Sequence, residues 1–177
     1  MRVYRESLAD WIRKFFALFA AGYRNDAVSI LSREVMVPRG LIGLGKDTLD
    51  VSVREMRELF EMFAEPSTYP VVIHCTQGKD RTGLIITLLL LLTGVVPVEA
   101  MADDYVRSET ELLPEMEERM KEIKAIGLDE SYVKCPAGFT QAIKDYIDSK
   151  HGGVETYLLS VGVSQELQEK VRSMLLA

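Results

Sequence analysis

A ten-residue polar segment, His74-Cys75-Thr76-Gln77-Gly78-Lys79-Asp80-Arg81-Thr82-Gly83, lies between two apolar runs, Val71-Val72-Ile73 before it and Leu84 to Leu92 after it. This order predicts a strand, a tight loop and a helix in immediate succession. It puts a cysteine at the strand end and an arginine at the helix start, with five residues between them. No other stretch restricts the path of the chain as closely.

The spacing also defines a chemistry. A bound phosphate needs several donors converging on one point, and the unpaired N–H groups of a helix start, backed by the helix dipole, supply them. Residues 76–82 (Thr76, Gln77, Gly78, Lys79, Asp80, Arg81 and Thr82) can curl their amides around one oxyanion. Gly78 permits close approach or positive φ there, and Gly83 permits close packing where the helix begins. The planar fork of Arg81 can hold two phosphate oxygens at once. The same field favours the thiolate of Cys75, which makes that side chain a candidate nucleophile. Attack on phosphorus would give a phosphocysteine that water then hydrolyses. Thr82 is placed to stabilise the sulfur through its hydroxyl, and His74 to orient the loop by hydrogen bonding. The scheme needs no metal and no cofactor.

Other readings of the same residues fit less well. A lone cysteine is more often a small buried hydrophobe, but that leaves the surrounding pattern unexplained. A nucleotide-binding Walker loop requires Ser or Thr after Gly-Lys, and here Gly78-Lys79 is followed by Asp80.

HCTQGKDRTG resembles the signature loop of cysteine-dependent tyrosine and dual-specificity phosphatases. Its GKDRTG form is closest to the atypical branch found in fungi and bacteria, some members of which also accept phosphoinositides. Leu91-Leu92-Thr93-Gly94-Val95, Asp104-Tyr105, Gly152-Gly153-Val154, Tyr157-Leu158 and Gly162-Val163 follow that branch in order and spacing. The resemblance therefore runs from about Tyr69 to the last residue. It implies Cys75 as nucleophile, Arg81 as phosphate ligand, and a phosphotyrosine protein or a phosphoinositide as substrate.

The acid that protonates the leaving group is open between two locations. Many relatives carry an aspartate upstream of the cysteine, where Asp47 and Asp50 are the candidates here. The GKDRTG form points instead to Asp80 inside the loop, although Lys79 and Arg81 flank it and favour its ionised state. Lys79 itself reads either as a second cation at the rim, suited to polyanionic substrates, or as a general contributor of positive potential.

The remaining sequence bounds the class of protein. Its 177 residues suit one domain with a substantial core. A net charge of −6 and the lack of a basic stretch argue against nucleic acid as partner. Two cysteines form no disulfide framework and suit a reducing, cytoplasmic setting, with Cys135 an ordinary buried thiol. The apolar run Leu84 to Val98 is too short to span a bilayer and reads as a central buried helix. No repeat, low-complexity tract or linker is visible.

Periodicity predicts an amphipathic helix near Ser7 to Tyr23, with Leu8, Trp11, Ile12, Phe15 and Phe19 on one stripe. Val35 to Val37 reads as a short strand or loop. Ser52 and Glu55 form a capping box opening a helix with Val53, Met56, Phe60 and Phe63 inward. Pro66 to Pro70 breaks the chain. Pro97 opens a helix ending near Arg107, and Ser108 with Glu111 opens another that carries Leu113, Met116, Met120 and Ile123 inward. Its outer face pairs Glu117 with Lys121 and Glu115 with Arg119. Further helices follow Pro136 as far as Lys150, from Val154 to Val161, and from Gln165 to Leu176. Only Val71 to Ile73 reads as a strand, and a strand needs neighbours. The expectation is an α/β, helix-rich phosphatase-like domain over residues 1–177, with the N-terminal part of its sheet short or missing.

Overall fold

The computed structural model describes residues 8–177, and of the predicted first helix Ser7 lies outside them. Helix α1 (Leu8–Ala20) ends before Gly22, whose φ is 87°, and α2 (Arg24–Leu31) follows. The chain continues through one π-helical stretch, Ser32–Met36, into α3 (Val37–Val51). Helical structure thus replaces the strand or loop expected at Val35 to Val37. Inside α3, Gly40 adopts φ 59° and ψ 177°, a conformation open essentially to glycine alone, and breaks the helix.

The described residues form two compact units, one comprising residues 8–40 and 113–134, the other 41–112 and 135–177, with one boundary at this break. In the first, α1 packs on α2. The short 3₁₀ turns Leu113–Glu115 and Glu130–Tyr132 flank α7 (Met116–Ala125). The Tyr132 hydroxyl donates to the Met36 carbonyl at 2.5 Å. Within α7 Ile123 is buried while Leu113 before it is exposed. Lys121 pairs with Glu117 as expected, whereas Arg119 is paired with Glu122.

The second unit is built around α5 (Asp80–Thr93). Leu84, Leu88 and Leu92 repeat every four residues along it, and each is at most 1 % exposed. Against them pack Met56, Phe60 and Phe63 of α4 (Val53–Phe63), and Phe139, Ile143 and Ile147 of α8 (Phe139–His151). Tyr157 and Leu158 of α9 (Val154–Ser160) and Val171 of α10 (Gln165–Leu175) complete the core. Gly94 at φ 70° ends α5 and Gly152 at φ 79° ends α8, both left-handed caps that a Cβ would strain.

Several sequence expectations change here. Helix α4 starts at Val53 as predicted, but the Ser52 side chain makes no cap, and Val53 is exposed. The central helix stops at Gly94 rather than Val98. Helix α6 (Val98–Glu111) runs through Ser108, so no capping box opens a helix there.

The main correction concerns the sheet. The α/β expectation is not met among the described residues, which form no strand. Val71 and Ile73 pack on the core and Val72 is 84 % exposed, the alternation of a strand. Residues 71–75 nevertheless have no ladder partner among the described residues, and pairing is what makes a strand. No described helix is long and apolar enough to cross a membrane.

Candidate active site

The loop between Ile73 and α5 turns at Gly78, whose φ of 66° requires glycine; open space surrounds it, so conformation and not close approach accounts for the residue. At Gly83 the reverse holds. A Cβ there would stand 2.9 Å from Tyr105 Cδ2 of α6, so glycine is what lets α5 and α6 meet at this point. The first turn of α5 is closed by the Gly83 N–H donating to Lys79 O at 2.6 Å.

This path folds the backbone around Cys75. Burial alone pushes its thiol up, but the Thr82 hydroxyl and the N–H groups of Thr82, Gln77 and Lys79 converge on the sulfur and bring it from 9.0 down to about 6. The Thr82 oxygen is itself buried without a hydrogen bond of full geometry, a donor aimed at the sulfur but not closed on it. His74 Nδ1–H donates to Cys75 O at 3.1 Å, and the exposed Arg81 guanidinium donates to Thr76 Oγ1 at 3.0 Å.

The residues flanking the helix start diverge. Lys79 is 2 % exposed, its ammonium 3.5 Å from Asp80 Oδ2. It therefore does not stand at the rim, and the reading of Lys79 as a rim cation is corrected: its charge is internal, while its backbone N–H serves the loop. Asp80 Oδ1 accepts a 2.6 Å hydrogen bond from the Tyr105 hydroxyl. Asp80 and Arg81 also line an apolar cleft of about 200 Å3 with Leu41, Leu44, Gly45 and Thr48 of α3, Leu84, and Phe139.

The upstream carboxylates are elsewhere. Asp50 accepts hydrogen bonds from Tyr146 and Lys150, each at 2.6 Å. Partial burial would raise its pKa, yet these two donors hold it below the usual carboxylate value. Neither Asp47 nor Asp50 lines the cleft beside Arg81. Cys135 is buried, and burial pushes its thiol up to about 11, the opposite state from Cys75.

Sequence reasoning missed the Tyr105 hydroxyl and the α3 side chains that wall the cleft. Tyr105 was visible only as half of the Asp104-Tyr105 pair. The α3 segment, with Pro38, Gly40, Gly43 and Gly45, carries the marks of a loop.

Residues 32–177 match the family model described as Tyrosine phosphatase family. The chain belongs to that family. A tyrosine-protein phosphatase of Nostoc commune is 34 % identical to this family member over 128 residues, which cover 67 % of this chain and 44 % of the relative. A triple specificity protein phosphatase, PtpB, of Mycobacterium tuberculosis is 29 % identical over 126 residues, 60 % of this chain and 44 % of the relative. This tyrosine phosphatase family chain thus matches less than half the length of those curated relatives.

Proposed function

We propose that this chain is a phosphomonoester hydrolase acting on phosphotyrosine protein through a phosphocysteine intermediate, with Cys75 as nucleophile. The observation that carries the proposal is the convergence of three backbone N–H groups and the Thr82 hydroxyl on one sulfur, with the Arg81 fork at the mouth. At neutral pH a thiol held near 6 is mostly thiolate. The amides of residues 76–82 that do not serve the sulfur, together with Arg81, bind the phosphate oxygens. The thiolate attacks phosphorus, the bond to the leaving oxygen breaks, and that oxygen takes a proton. Asp80 is the proposed donor, since it borders the cleft in which the leaving group would lie. Water then attacks the phosphocysteine, freeing phosphate and the thiolate that Thr82 stabilises. The reaction suits the reducing interior of a cell, where such a thiolate persists.

The apolar walls of the cleft, Leu41, Leu44 and Phe139, favour a flat aryl group over a polyanionic headgroup. Phosphoinositide, the other substrate class the resemblance implies, loses the rim cation on which it drew, because Lys79 is buried. The test is turnover of an aryl phosphate, a phosphotyrosine peptide and phosphoinositide vesicles by the purified chain, with Cys75→Ser as control. The expected result is turnover of the first two, abolished in the variant. Phosphate binding without turnover would make the chain a phosphate-binding module instead. Preference for the vesicles would replace phosphoprotein by phosphoinositide.

A further inference from the structure

We infer that Tyr105 is the positioning residue for the leaving-group acid, fixing the Asp80 carboxyl from helix α6; this rests on the proposed phosphatase reading. Asp80 is the first residue of α5, and its side chain is 29 % exposed, so the helix alone does not determine where its carboxyl points. The Tyr105 hydroxyl does, through a 2.6 Å hydrogen bond to Oδ1.

The hydroxyl is a fixed point because the ring that carries it cannot swing. Tyr105 is 6 % exposed, and its ring stacks on that of Phe139 with centroids 4.8 Å apart and planes at 18°. A second constraint comes from α5, where Gly83 leaves no room for even a methyl group against Cδ2. Burial, reinforced by the Asp80 carboxyl, pushes the phenol well above its ordinary value, so that it remains a donor at any working pH. With Oδ1 occupied in this way, Oδ2 is the oxygen left to hold the transferable proton. Oδ2 is also ion-paired with the Lys79 ammonium at 3.5 Å, and the phosphate dianion of the bound substrate competes for that cation in the complex where the proton is transferred. In the transfer, the sulfur–phosphorus bond forms, the phosphorus–oxygen bond to the leaving group breaks, and the Oδ2 proton passes to the departing oxygen. Tyr105 keeps its own proton throughout and touches no reacting atom.

A purely structural tie between α5 and α6 would predict something different, namely a loss indifferent to the substrate. The test compares Tyr105→Phe, which retains the stacked ring, with the unmodified chain on aryl phosphates graded from phenyl to dinitrophenyl phosphate. A poor leaving group needs the acid and a good one does not. General acids contribute on the order of 10²–10⁴-fold, and a mispositioned one retains part of this, so kcat should fall roughly tenfold on phenyl phosphate and less than about twofold on dinitrophenyl phosphate. KM should not change. Tyr105→Phe should add nothing to Asp80→Asn, because the hydroxyl then has no acid to position. Uniform loss across the series, no loss, or losses that multiply in the double variant would each overturn the inference. If Tyr105→Phe does not fold, Gly83→Ala displaces the same ring with its hydroxyl intact and must give the same graded loss. Absence of turnover in the unmodified chain would instead overturn the phosphatase reading, and this inference with it.

Discussion

Gly83 and Tyr105 are in contact in a way that excludes a single additional carbon: a Cβ on Gly83 would stand 2.9 Å from Tyr105 Cδ2. The ring also stacks on Phe139, so accommodating a Cβ means shifting the ring within that stack. Twenty-two positions apart in sequence, the two residues together determine where the Tyr105 hydroxyl meets Asp80.

Gly83→Ala should therefore destabilise the protein despite alanine's better helix propensity. Overpacking a filled core costs about 1–3 kcal/mol, against about 1 kcal/mol gained from replacing glycine in a helix. A net loss of up to about 2 kcal/mol is expected from urea unfolding. A stabilised variant would show that α6 yields at this contact.

Cys75 should be a reactive thiol under mildly acidic conditions. Its thiolate is held near 6, so the rate of alkylation by iodoacetamide should rise through about that pH, level off above it, and fall as the thiol protonates below it. Thr82→Val removes one of the groups stabilising the charged sulfur and should move this midpoint upward, towards the ordinary 9.0. Burial already raises it, and nothing in the substitution offsets that. An unmoved midpoint would leave the backbone N–H groups as the sole cause.

Substitution at Asp80 and at Asp50 should separate the two proposed locations of the acid. Asp80→Asn should lower turnover of phenyl phosphate by on the order of 10²-fold, whereas Asp50→Asn should leave it within about twofold. Asp50 instead ties α3 to Tyr146 and Lys150 of α8. Its pKa is held below the ordinary value, so that contribution is in place above about pH 4 and fades as acid protonates it. The pair is partly solvated, and its loss should change stability little. A reversed pattern of activities would place the acid upstream.

Leu88→Ala should destabilise the unit around α5 by about 2–5 kcal/mol, because Leu88 is fully buried and packed surroundings relax only partly into a cavity. Val72→Thr, at a side chain 84 % exposed, should stay within about 0.5 kcal/mol. Chemical denaturation of both variants measures the contrast.

Much of this arrangement was legible in the chain. The loop boundaries, the start of α4 at Val53, the end of α8 at Gly152 and the inward face of Met56, Phe60 and Phe63 follow from periodicity and from residues whose backbone preferences are local. Helix α3 was not legible, because Pro38, Gly43 and Gly45 carry the signals of a loop. Gly45 is helical nonetheless, and an added Cβ there would meet Ile143 and Phe139 at 3.0 and 3.2 Å, so packing has overridden propensity. The rim reading of Lys79, one of the two that the sequence left open, failed for a similar reason. A lysine in a polar loop reads as exposed, and only its burial beside Asp80 turns the charge inward.

By itself the sequence determined the local geometry of the loop. Cys75 and Arg81 are separated by a span short enough that a glycine turn and a helix start bring three amides and the Thr82 hydroxyl to the sulfur and leave the guanidinium on Thr76 of the same loop. The tertiary structure alone decided what surrounds that loop: the burial of Lys79, the apolar wall from α3, and the hold of Tyr105 on Asp80. Those depend on which helices pack together. Such contacts join residues tens of positions apart, and no local backbone preference encodes them.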